Sequence, residues 1–354
     1  MISEAHGNLL DADVDALVNT VNTVGVMGKG IALQFKRAYP GMYKIYERAA
    51  KQGEVRLGQM YVYPTNKLSG PRYVINFPTK KHWRARSRLD DIRRGLVDLI
   101  QVVTDLGIKS IAVPPLGCGN GGLDWRDVEP LIAGAFGSLP NVDVHVYPPE
   151  GAPAAAAMAT NTSRPRMTVG KAALVEIVRR YHERSDEVSI IEVQKLMYFL
   201  QVAGENLNLK YTKDLYGPYA DNLRHVLNAV EGHFLSGYGD ASLSIHAAEP
   251  VEVLPGAAEE AQAVLARHQD TEERIERVLR LADGFESAYA MELLATVHWV
   301  AVNEDQAAAE DPAVAVRLVR EWSQRKKRMF GPDHVTAAWQ RLSDEGWLPT
   351  LIAV

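Results

Sequence analysis

Two glycine-rich segments are the parts of this sequence best suited to bind a charged ligand. The first, GVMGKG at residues 25–30, follows an apolar run and precedes a helix-like stretch. The second, GCGNGG at residues 117–122, lies between a strand-like and a helix-like stretch. Glycine lets the backbone approach a phosphate closely, and the N–H groups at a helix N-terminus favour an anion. Two such segments together predict a site that holds a diphosphate.

The spacing of these glycines excludes two common phosphate-binding motifs. Residues 25–30 lack the Gly-x4-Gly-Lys-Ser/Thr order of a P-loop, and they lack the Gly-x-Gly-x-x-Gly order of a dinucleotide-binding turn. Either segment alone is also consistent with a flexible turn. Their occurrence together, each between a strand and a helix, favours a binding site.

The elements that must position these segments alternate along residues 1–147. This alternation predicts an α/β fold with a mostly parallel or mixed sheet between helices. Apolar, β-branched and aromatic runs predict strands at DALVNTV, MYVYP, RYVINFP, SIAVPPL and VDVHVYP. Helical spacing predicts helices at KGIALQFKRAYPGMYKIYERAAKQG, RLDDIRRGLVDLIQVVTDLG and DWRDVEPLIAGAFGSL. Ligands of such sheets bind beyond the carboxyl ends of the strands, where both glycine segments are expected.

Beyond residue 147 the character of the sequence changes. Residues 148–167 are rich in Pro, Ala, Ser and Thr without a period, which predicts a linker. Residues 168–354 carry several amphipathic helical patterns and predict a separate, mainly α-helical domain. Within it, YGPY at 216–219 is predicted to be a turn that ends one helix and begins the next.

Composition narrows the class of protein. The chain has 354 residues, enough for two domains, and its single cysteine excludes a disulfide framework or a cysteine-rich zinc site. It contains no apolar run of membrane-spanning length and no secretory signal, so we expect a cytoplasmic protein without membrane contact. No clustered His, Asp and Glu spacing indicates a metal site, and we expect no metal and no cofactor.

Charge is distributed unequally between the two halves. Residues 1–150 contain 18 Lys and Arg against 15 Asp and Glu, a net charge of +3. The remaining residues contain 21 against 29, a net charge of −8. The two halves are therefore expected to have different partners.

The motifs GNLLDADVDALVNTVNTVGVMGKGIALQF and PPLGCGNGGLDW together resemble the macrodomain, an ADP-ribose-binding fold, over residues 1–147. In detail, NTVNTVGVMGKGIALQFK and NFPTKKHWR resemble the DarG antitoxin branch of that family. The resemblance implies an enzyme that removes ADP-ribose from thymidine in DNA, where a partner toxin of the DarT type attaches it.

The resemblance also implies roles for individual residues. Macrodomains usually hold the adenine amino group with an acidic residue after the first strand; the matching residue here is Asn8, which keeps a carbonyl acceptor without the charge. Asn22 is expected to bond the distal ribose. As an alternative to ligand contacts, Ile31 is compatible with the core of a helix and Gln34 with its surface. The expected ADP-ribose contacts are Asn8, Leu9, Thr20, Val21, Asn22, Gly28, Lys29, Gly30, Ile31, Ala32, Leu33, Gln34, Thr79, Gly117, Cys118, Gly119, Asn120, Gly121 and Gly122.

Lys80, at the end of the strand-like VINFP, is the catalytic residue that the resemblance implies. Breaking the bond between ribose and thymine leaves oxocarbenium character on the sugar and negative charge on the base. An ammonium group can stabilise or protonate that base, and a neutral amine can instead form a Schiff base with the opened sugar. Both roles stay open. Cys118 is expected to be a small spacer rather than a nucleophile, because no histidine partners it in sequence.

The residues after Lys80 suggest the kind of substrate. KKHWRARSRLDDIRR is strongly basic and includes His82 and Trp83. Basic groups bind phosphates and aromatic rings stack on unpaired bases, which predicts single-stranded DNA as the substrate. The expected DNA contacts are Lys81, Trp83, Arg84, Arg86 and Arg88. Residues 1–147 contain neither a Gly-Gly-Gly triplet nor a Glu-Glu pair, so catalysis by paired glutamates is not expected.

The second half resembles the Panacea antitoxin domain in VQKLMYFLQVAGENLNLKYTKDLYGPYADNLRHVLN. Leu196, Tyr198 and Phe199 of this stretch are predicted to be helix core. A toxin that modifies DNA presents a basic groove, and the half of the chain that carries a charge of −8, residues 151–354, is suited to occupy it as a DNA mimic. Residues 168–354 are therefore expected to bind a DarT-type toxin.

Three other functions are alternatives to an antitoxin that also hydrolyses ADP-ribosylated DNA. A non-catalytic reader of ADP-ribose is disfavoured by Lys80. A hydrolase for protein-linked ADP-ribose or O-acetyl-ADP-ribose is disfavoured by the basic segment. A DNA-binding regulator is disfavoured by the acidic second half.

Overall fold

The structure of the chain is a computed structural model, and it describes residues 1–67, 69–243 and 247–349. It divides into two compact units: Met1–Ser163 with Asp240–Leu243, and Arg164–Gly239 with Ser244–Val354. The division falls inside the segment 148–167 that the sequence predicts as a linker. No helix among the described residues combines the length and apolar character needed to cross a bilayer.

The first unit is built on a six-stranded mixed sheet. Its strands are β1 (Ile2–Glu4), β2 (Ala16–Asn22), β3 (Tyr61–Pro64), β4 (Tyr73–Lys80), β5 (Ser110–Val113) and β6 (Asp143–Val146). They lie in the order β1-β6-β5-β2-β4-β3. β3 pairs antiparallel with β4, and the other neighbours are parallel. The predicted α/β fold with a mixed sheet is confirmed.

Helices cover both faces of this sheet because side chains alternate along each buried strand. The helices are α1 (Ile31–Ala38), α2 (Pro40–Lys51), α3 (Leu89–Asp105) and α4 (Trp125–Phe136). On β2, Val18 belongs to the core formed with α3 and α4. Its neighbour Leu17 belongs to the opposite core with α1 and α2. The sheet thus lies between two helical layers, with its strand ends free to carry loops.

The second unit is mainly helical, as predicted. Its helices are α5 (Val169–His182), α6 (Ile190–Val202), α7 (Leu223–Val230), α8 (Ala257–Leu265), α9 (Gln269–Ala282), α10 (Ala288–Trp299), α11 (Ala307–Glu310), α12 (Pro312–Glu321), α13 (Gln324–Met329) and α14 (Pro332–Asp344). Leu196, Tyr198 and Phe199 on α6 are buried in its core, which confirms their predicted role.

Two small two-stranded sheets in this unit were not expected from the sequence. They pair β7 (Tyr211–Asp214) with β8 (Gly217–Ala220), and β9 (Leu235–Ser236) with β10 (Glu252–Val253). The prediction that YGPY is a turn between helices is wrong, because most of it forms β8. Gly217 has a φ of +86°, and the buried Lys195 donates to the carbonyl of Pro218 at 2.7 Å. Pairing with β7 forms the strand where local sequence suggests a turn, and the Lys195 contact adds to that pairing.

The same core contains a buried charged cluster. The Glu292 carboxylate accepts from Lys326 and from Arg325, each at 2.6 Å. Burial lowers the pKa of Lys195 to about 7 and that of Lys326 to about 8. A buried lysine is stable only when its ammonium is paired or its amine is neutral. The contacts of Glu292 with Arg325 and Lys326 therefore join α10 to α13.

Candidate functional site

The two glycine segments and Lys80 lie at one edge of the sheet because their strands are neighbours. β2 and β4 are parallel and adjacent, and β5 lies on the other side of β2. The first glycine loop, residues 25–30, follows β2 and opens α1. The second glycine loop, residues 117–122, follows β5 and precedes α4, and Lys80 is the last residue of β4. The carboxyl ends of three neighbouring strands thus carry all three features.

Asn120 of the second glycine loop joins these features. Its backbone carbonyl accepts a hydrogen bond from Lys80 Nζ at 2.8 Å. Its side-chain Nδ2 lies 3.3 Å from the position that a Cβ on Gly30 would occupy. The two glycine loops therefore approach each other directly, with the lysine amine bonded to one of them.

The environment of Lys80 changes its protonation. Partial burial lowers the pKa of the Lys80 amine below the ordinary value of a lysine. A lowered pKa means that a larger fraction of the amine is neutral near pH 7 than on an exposed lysine. Such an amine is able both to donate a proton and, when neutral, to attack a carbonyl carbon.

The first glycine loop is shaped by Asn22. The Asn22 side-chain Oδ1 accepts from the N–H groups of Val24 and Val26, and its Nδ2 donates to the Val26 carbonyl at 2.6 Å. The Asn22 side chain therefore organises the loop. One N–H of its amide group stays available for the ribose contact predicted from the sequence. Of its predicted neighbours, Val21 is buried and Thr20 is half-buried.

The end of the first glycine loop makes a contact that the sequence does not reveal. Gly30, with a φ of +64°, caps α1, and its N–H donates to the carbonyl of Asp240 at 2.9 Å. The Gln34 amide donates to the Asp240 carboxylate at 2.6 Å. Asp240 belongs to the first unit although it lies far along the chain. The predicted ligand groups on Gly30 and Gln34 are thus already bonded to an acidic residue.

The other predicted ligands of α1 and its loop differ in exposure. Gly28 and Lys29 are exposed, Ile31 and Ala32 are half-buried, and Leu33 is buried. The exposed pair is placed as a phosphate-binding loop requires. Contacts of all five with ADP-ribose stay predictions.

The predicted adenine contacts lie in a short helical turn. Asn8 caps the 3-10 helix Leu9–Asp11, and its side-chain oxygen accepts from the Leu10 N–H at 3.1 Å. Leu9 is buried against the α1–α2 face of the sheet. The Asn8 oxygen retains a second lone pair for an adenine amino group, so its role stays a prediction.

The second glycine loop is tightly packed on one side and open on the other. A Cβ on Gly121 would lie 2.3 Å from both the Gly117 carbonyl oxygen and Ser87 Oγ. Around Gly119 nothing lies within 4 Å of such a Cβ, and Asn120 and Gly122 are exposed. Internal packing therefore requires glycine at 121, whereas the open side is available to a ligand.

Two further predicted site residues are enclosed. Burial raises the pKa of the Cys118 thiol to about 11, with a further contribution from Asp124. The thiol is therefore protonated at neutral pH, which agrees with the predicted spacer and not with a nucleophile. Thr79 is buried, and its hydroxyl donates to the Val21 carbonyl at 3.4 Å.

The basic segment lies exposed beside the second glycine loop. Its predicted DNA contacts are all on the surface: Lys81, Trp83, Arg84, Arg86 and Arg88. The Trp83 ring is 41% exposed, and the Arg84 guanidinium carbon lies 4.4 Å from its centroid. Arg86 Nε lies 3.7 Å from the position of a Cβ on Gly122. The segment offers cations and an aromatic surface next to the loop that faces Lys80.

Sequence reasoning missed two polar residues that support the site, Asn76 and Ser87. Asn76 accepts from Asn19 at 2.9 Å and donates to the Tyr61 carbonyl, so it ties β2, β4 and β3 together. Ser87 donates its N–H to the Gly121 carbonyl at 3.0 Å. An asparagine in the middle of an apolar strand is a signal from which Asn76 could have been predicted. Nothing in the sequence distinguishes Ser87.

No group of three or more His, Cys, Asp or Glu side chains among the described residues is arranged to hold a metal ion. The groups at the strand ends that suit a ligand are backbone N–H groups, side-chain amides and the amines of Lys29 and Lys80. This set of groups suits an anionic sugar nucleotide.

Comparison with known proteins identifies the family. The sequence model of the Macro domain matches residues 18–132. A DNA ADP-ribosyl glycohydrolase of Mycobacterium tuberculosis is 46% identical, with 97% of this chain and 99% of that protein covered. A DNA ADP-ribosyl transferase-DNA ADP-ribosyl glycohydrolase fusion protein of Thermosipho africanus is 34% identical, over 42% of each chain.

A solved structure, the macrodomain of Mycobacterium tuberculosis DarG, is 62% identical. It covers 42% of this chain and 99% of its own, with a TM-score of 0.42. The Mycobacterium relative aligns from end to end and includes the second, helical unit. This chain, with its N-terminal macrodomain, belongs to the family of DNA ADP-ribosyl glycohydrolases.

Proposed function

We propose that this chain is a cytoplasmic antitoxin that hydrolyses the bond between ADP-ribose and thymidine in single-stranded DNA. The observation that carries the proposal is the Lys80 amine, held on the Asn120 carbonyl beside two facing glycine loops. The loops bind the diphosphate, and the amine acts at the ribose that carries the base. The same protein binds and neutralises the toxin that makes the modification.

In the proposed reaction the bond between the anomeric carbon of ribose and a ring nitrogen of thymine breaks. The bonding electron pair leaves with the base, and water supplies a hydroxyl to the sugar and a proton to the base. Lys80 assists in one of two ways. Its ammonium donates a proton to the departing nitrogen and regains one from the attacking water. Alternatively, its neutral amine attacks the anomeric carbon in place of water, the base leaves with the electron pair and takes up the amine proton, and the sugar ring opens to a Schiff base. Water then hydrolyses the C=N bond and releases ADP-ribose and the free amine. The lowered pKa of Lys80 is compatible with both.

DNA rather than protein is the proposed carrier of the ADP-ribose because of the basic segment. Trp83 and Arg84 offer a ring and a cation at the surface, and Arg86 lies beside Gly122. The direct test offers ADP-ribosylated single-stranded DNA and ADP-ribosylated protein side by side. Preference for the protein substrate would overturn this proposal in favour of a protein-directed hydrolase.

A charge-removing variant sharpens the DNA test. We expect Arg86→Ala to raise KM several-fold on ADP-ribosylated DNA and to weaken its salt dependence, since each phosphate contact contributes about 0.7 to the logarithmic slope on single strands. ADP-ribosyl-thymidine without flanking DNA should be hydrolysed at the parent rate. Arg93→Ala is the control, because Arg93 is paired with Asp90 at 2.9 Å and should leave both substrates unaffected.

Toxin binding is proposed for the helical residues 168–354. They lie in the part of the chain, residues 151–354, whose net charge of −8 is complementary to the basic groove that a DNA-modifying toxin must present. In the Thermosipho africanus relative, a DNA ADP-ribosyl transferase and a DNA ADP-ribosyl glycohydrolase are fused in a single chain. We expect a DarT-type toxin to be captured by residues 160–354, with slower association at higher salt, and to be bound poorly by residues 1–150. Capture by residues 1–150 alone would contradict the assignment.

A further inference from the structure

Thr23, the residue that follows β2, forms hydrogen bonds with the backbone of both Lys80 and Lys81. The Thr23 N–H donates to the Lys80 carbonyl at 3.2 Å and to the Lys81 carbonyl at 3.1 Å. The Thr23 hydroxyl also donates to the Lys81 carbonyl, at 2.9 Å. Three hydrogen bonds from a single residue therefore fix the end of β4.

The pairing of β2 with β4 is irregular at this point. Val21 is opposite Pro78, but the next residue, Asn22, is opposite Lys80. Thr79 is thus an extra residue in β4, and such a bulge re-aims the side chain that follows it. Without the bulge, Asn22 would pair with Thr79, and Lys80 would lie one position further along the strand.

The bulge has a visible consequence for both side chains. Thr79 is 3% exposed, with its hydroxyl on the Val21 carbonyl. Lys80 reaches across to the second glycine loop, with Nζ 2.8 Å from the Asn120 carbonyl. The irregular register therefore buries the threonine and delivers the amine to the site.

The hydroxyl of Thr23 is not needed to shape its own loop. The Asn22 side chain already bonds the backbone of Val24 and Val26 on that loop. The one hydrogen bond that the Thr23 hydroxyl donates goes to the carbonyl of Lys81. Its contribution is therefore directed at the strand that carries Lys80.

We propose that Thr23 is a positioning residue for Lys80, whose hydroxyl clamps the bulged end of β4 and so holds the amine on the second glycine loop. This inference rests on the proposed function, in which Lys80 assists hydrolysis. Because a misplacement of about 1 Å can cost on the order of 10²-fold in rate, loosening this clamp should slow turnover while the glycine loops still bind ADP-ribose.

The test compares full-length Thr23→Val, which keeps the shape of the side chain but lacks the hydroxyl, with Thr23→Ser, which keeps the hydroxyl. On ADP-ribosylated single-stranded DNA we expect Thr23→Val to lower kcat at least tenfold. The affinity for ADP-ribose, measured by calorimetry, should stay within about twofold. Thr23→Ser should restore most of kcat. The matched control is Thr104→Val, which removes a hydroxyl bonded to the Ile100 carbonyl on α3 and should retain the parent kcat.

A double-mutant cycle shows whether Thr23 acts through Lys80. If it does, adding Thr23→Val to Lys80→Ala should cause no further loss, because the group being positioned is already absent. A parent kcat for Thr23→Val, equal losses for the valine and serine variants, or a full additional loss in the Lys80→Ala background would each overturn the inference. Thr23→Ala replaces the valine variant if thermal unfolding shows that valine disturbs the fold.

The two proposals fail in different ways. High activity of Lys80→Ala alone would overturn the proposed role of Lys80, and the positioning role with it. Loss of activity in Lys80→Ala combined with parent activity in Thr23→Val would overturn the positioning role alone.

Discussion

The two glycine loops have similar compositions but different physical constraints. In the second loop, a side chain on Gly121 would meet the Gly117 carbonyl oxygen and Ser87 Oγ at 2.3 Å. In the first, a Cβ on Gly28 would have Val26 as its nearest neighbour, at 3.8 Å. The first loop is held instead by polar contacts, from Asn22 within the loop and from Asp240 at its end. Close packing is thus tightest in the second loop, whereas side-chain hydrogen bonds hold the first.

This difference separates glycines that serve the fold from glycines that serve a ligand. Gly121 is required because there is no space for a methyl group. Gly119 and Gly28 have space around them, so the structure itself does not require glycine there. Open glycines beside a packed backbone are where a diphosphate is expected to lie, since a ligand can approach the backbone closely there.

Gly119→Glu should have the largest effect on binding. A carboxylate on the open side of the second glycine loop would fill the diphosphate position and repel it, so we expect the affinity for ADP-ribose to fall at least about 100-fold while the melting temperature stays near that of the parent. Calorimetry checks this, with Gly119→Ala as the control, because its methyl group meets nothing within 4 Å. Unchanged affinity in a folded Gly119→Glu protein would place the diphosphate elsewhere.

Gly121→Ala should act by a different cause from Gly119→Glu: it should disturb the fold of the second glycine loop without adding a charge. The methyl group has no space between the Gly117 carbonyl and Ser87, and overpacking of this kind typically costs about 1–3 kcal/mol of stability. We expect a lower melting temperature together with about tenfold weaker ADP-ribose binding. A variant with parent stability and parent affinity would show that the loop is not rigid in the way described.

Asp240→Asn should have a smaller effect, confined to the first glycine loop. The amide keeps a hydrogen-bond acceptor for Gln34 but removes a negative charge near the N-terminus of α1, a region where charge contributes about 0.3–1 kcal/mol. ADP-ribose should bind about two- to fivefold more tightly at low salt, and the gain should shrink as salt rises. Weaker binding at every salt concentration would indicate that Asp240 supports the loop mainly through its shape.

The sequence predicted the layered fold and the meeting of the glycine loops because both follow from local patterns. The period of β2 and β4, the glycine spacing and the order of strands and helices are visible in the residues themselves. The contact of Asp240 with Gly30 was not predictable, because it joins residues distant in sequence and carries no local signal. The bulge at Thr79 was also missed, since it depends on how two strands pair rather than on either strand alone.

In the second unit, too, local sequence patterns predicted some features and missed others. Leu196, Tyr198 and Phe199 were assigned to the core from their helical spacing, and the structure confirms this. The strand at Gly217–Ala220 was predicted as a turn, because glycine and proline dominate the local signal. The strand forms by antiparallel pairing with β7, and the buried Lys195 on α6 adds a hydrogen bond to its Pro218 carbonyl that no local pattern contains.

The central claim is that the loops supply affinity and Lys80 supplies the chemistry. It is tested most directly by measuring both quantities on Lys80→Ala: the dissociation constant of ADP-ribose, and the single-turnover rate on ADP-ribosylated single-stranded DNA. Lys51→Ala is the control, since Lys51 is an exposed lysine paired with Glu47. We predict that Lys80→Ala binds ADP-ribose within about threefold of the parent and hydrolyses about 10²–10⁴-fold more slowly. Hydrolysis by Lys80→Ala near the parent rate would contradict the account.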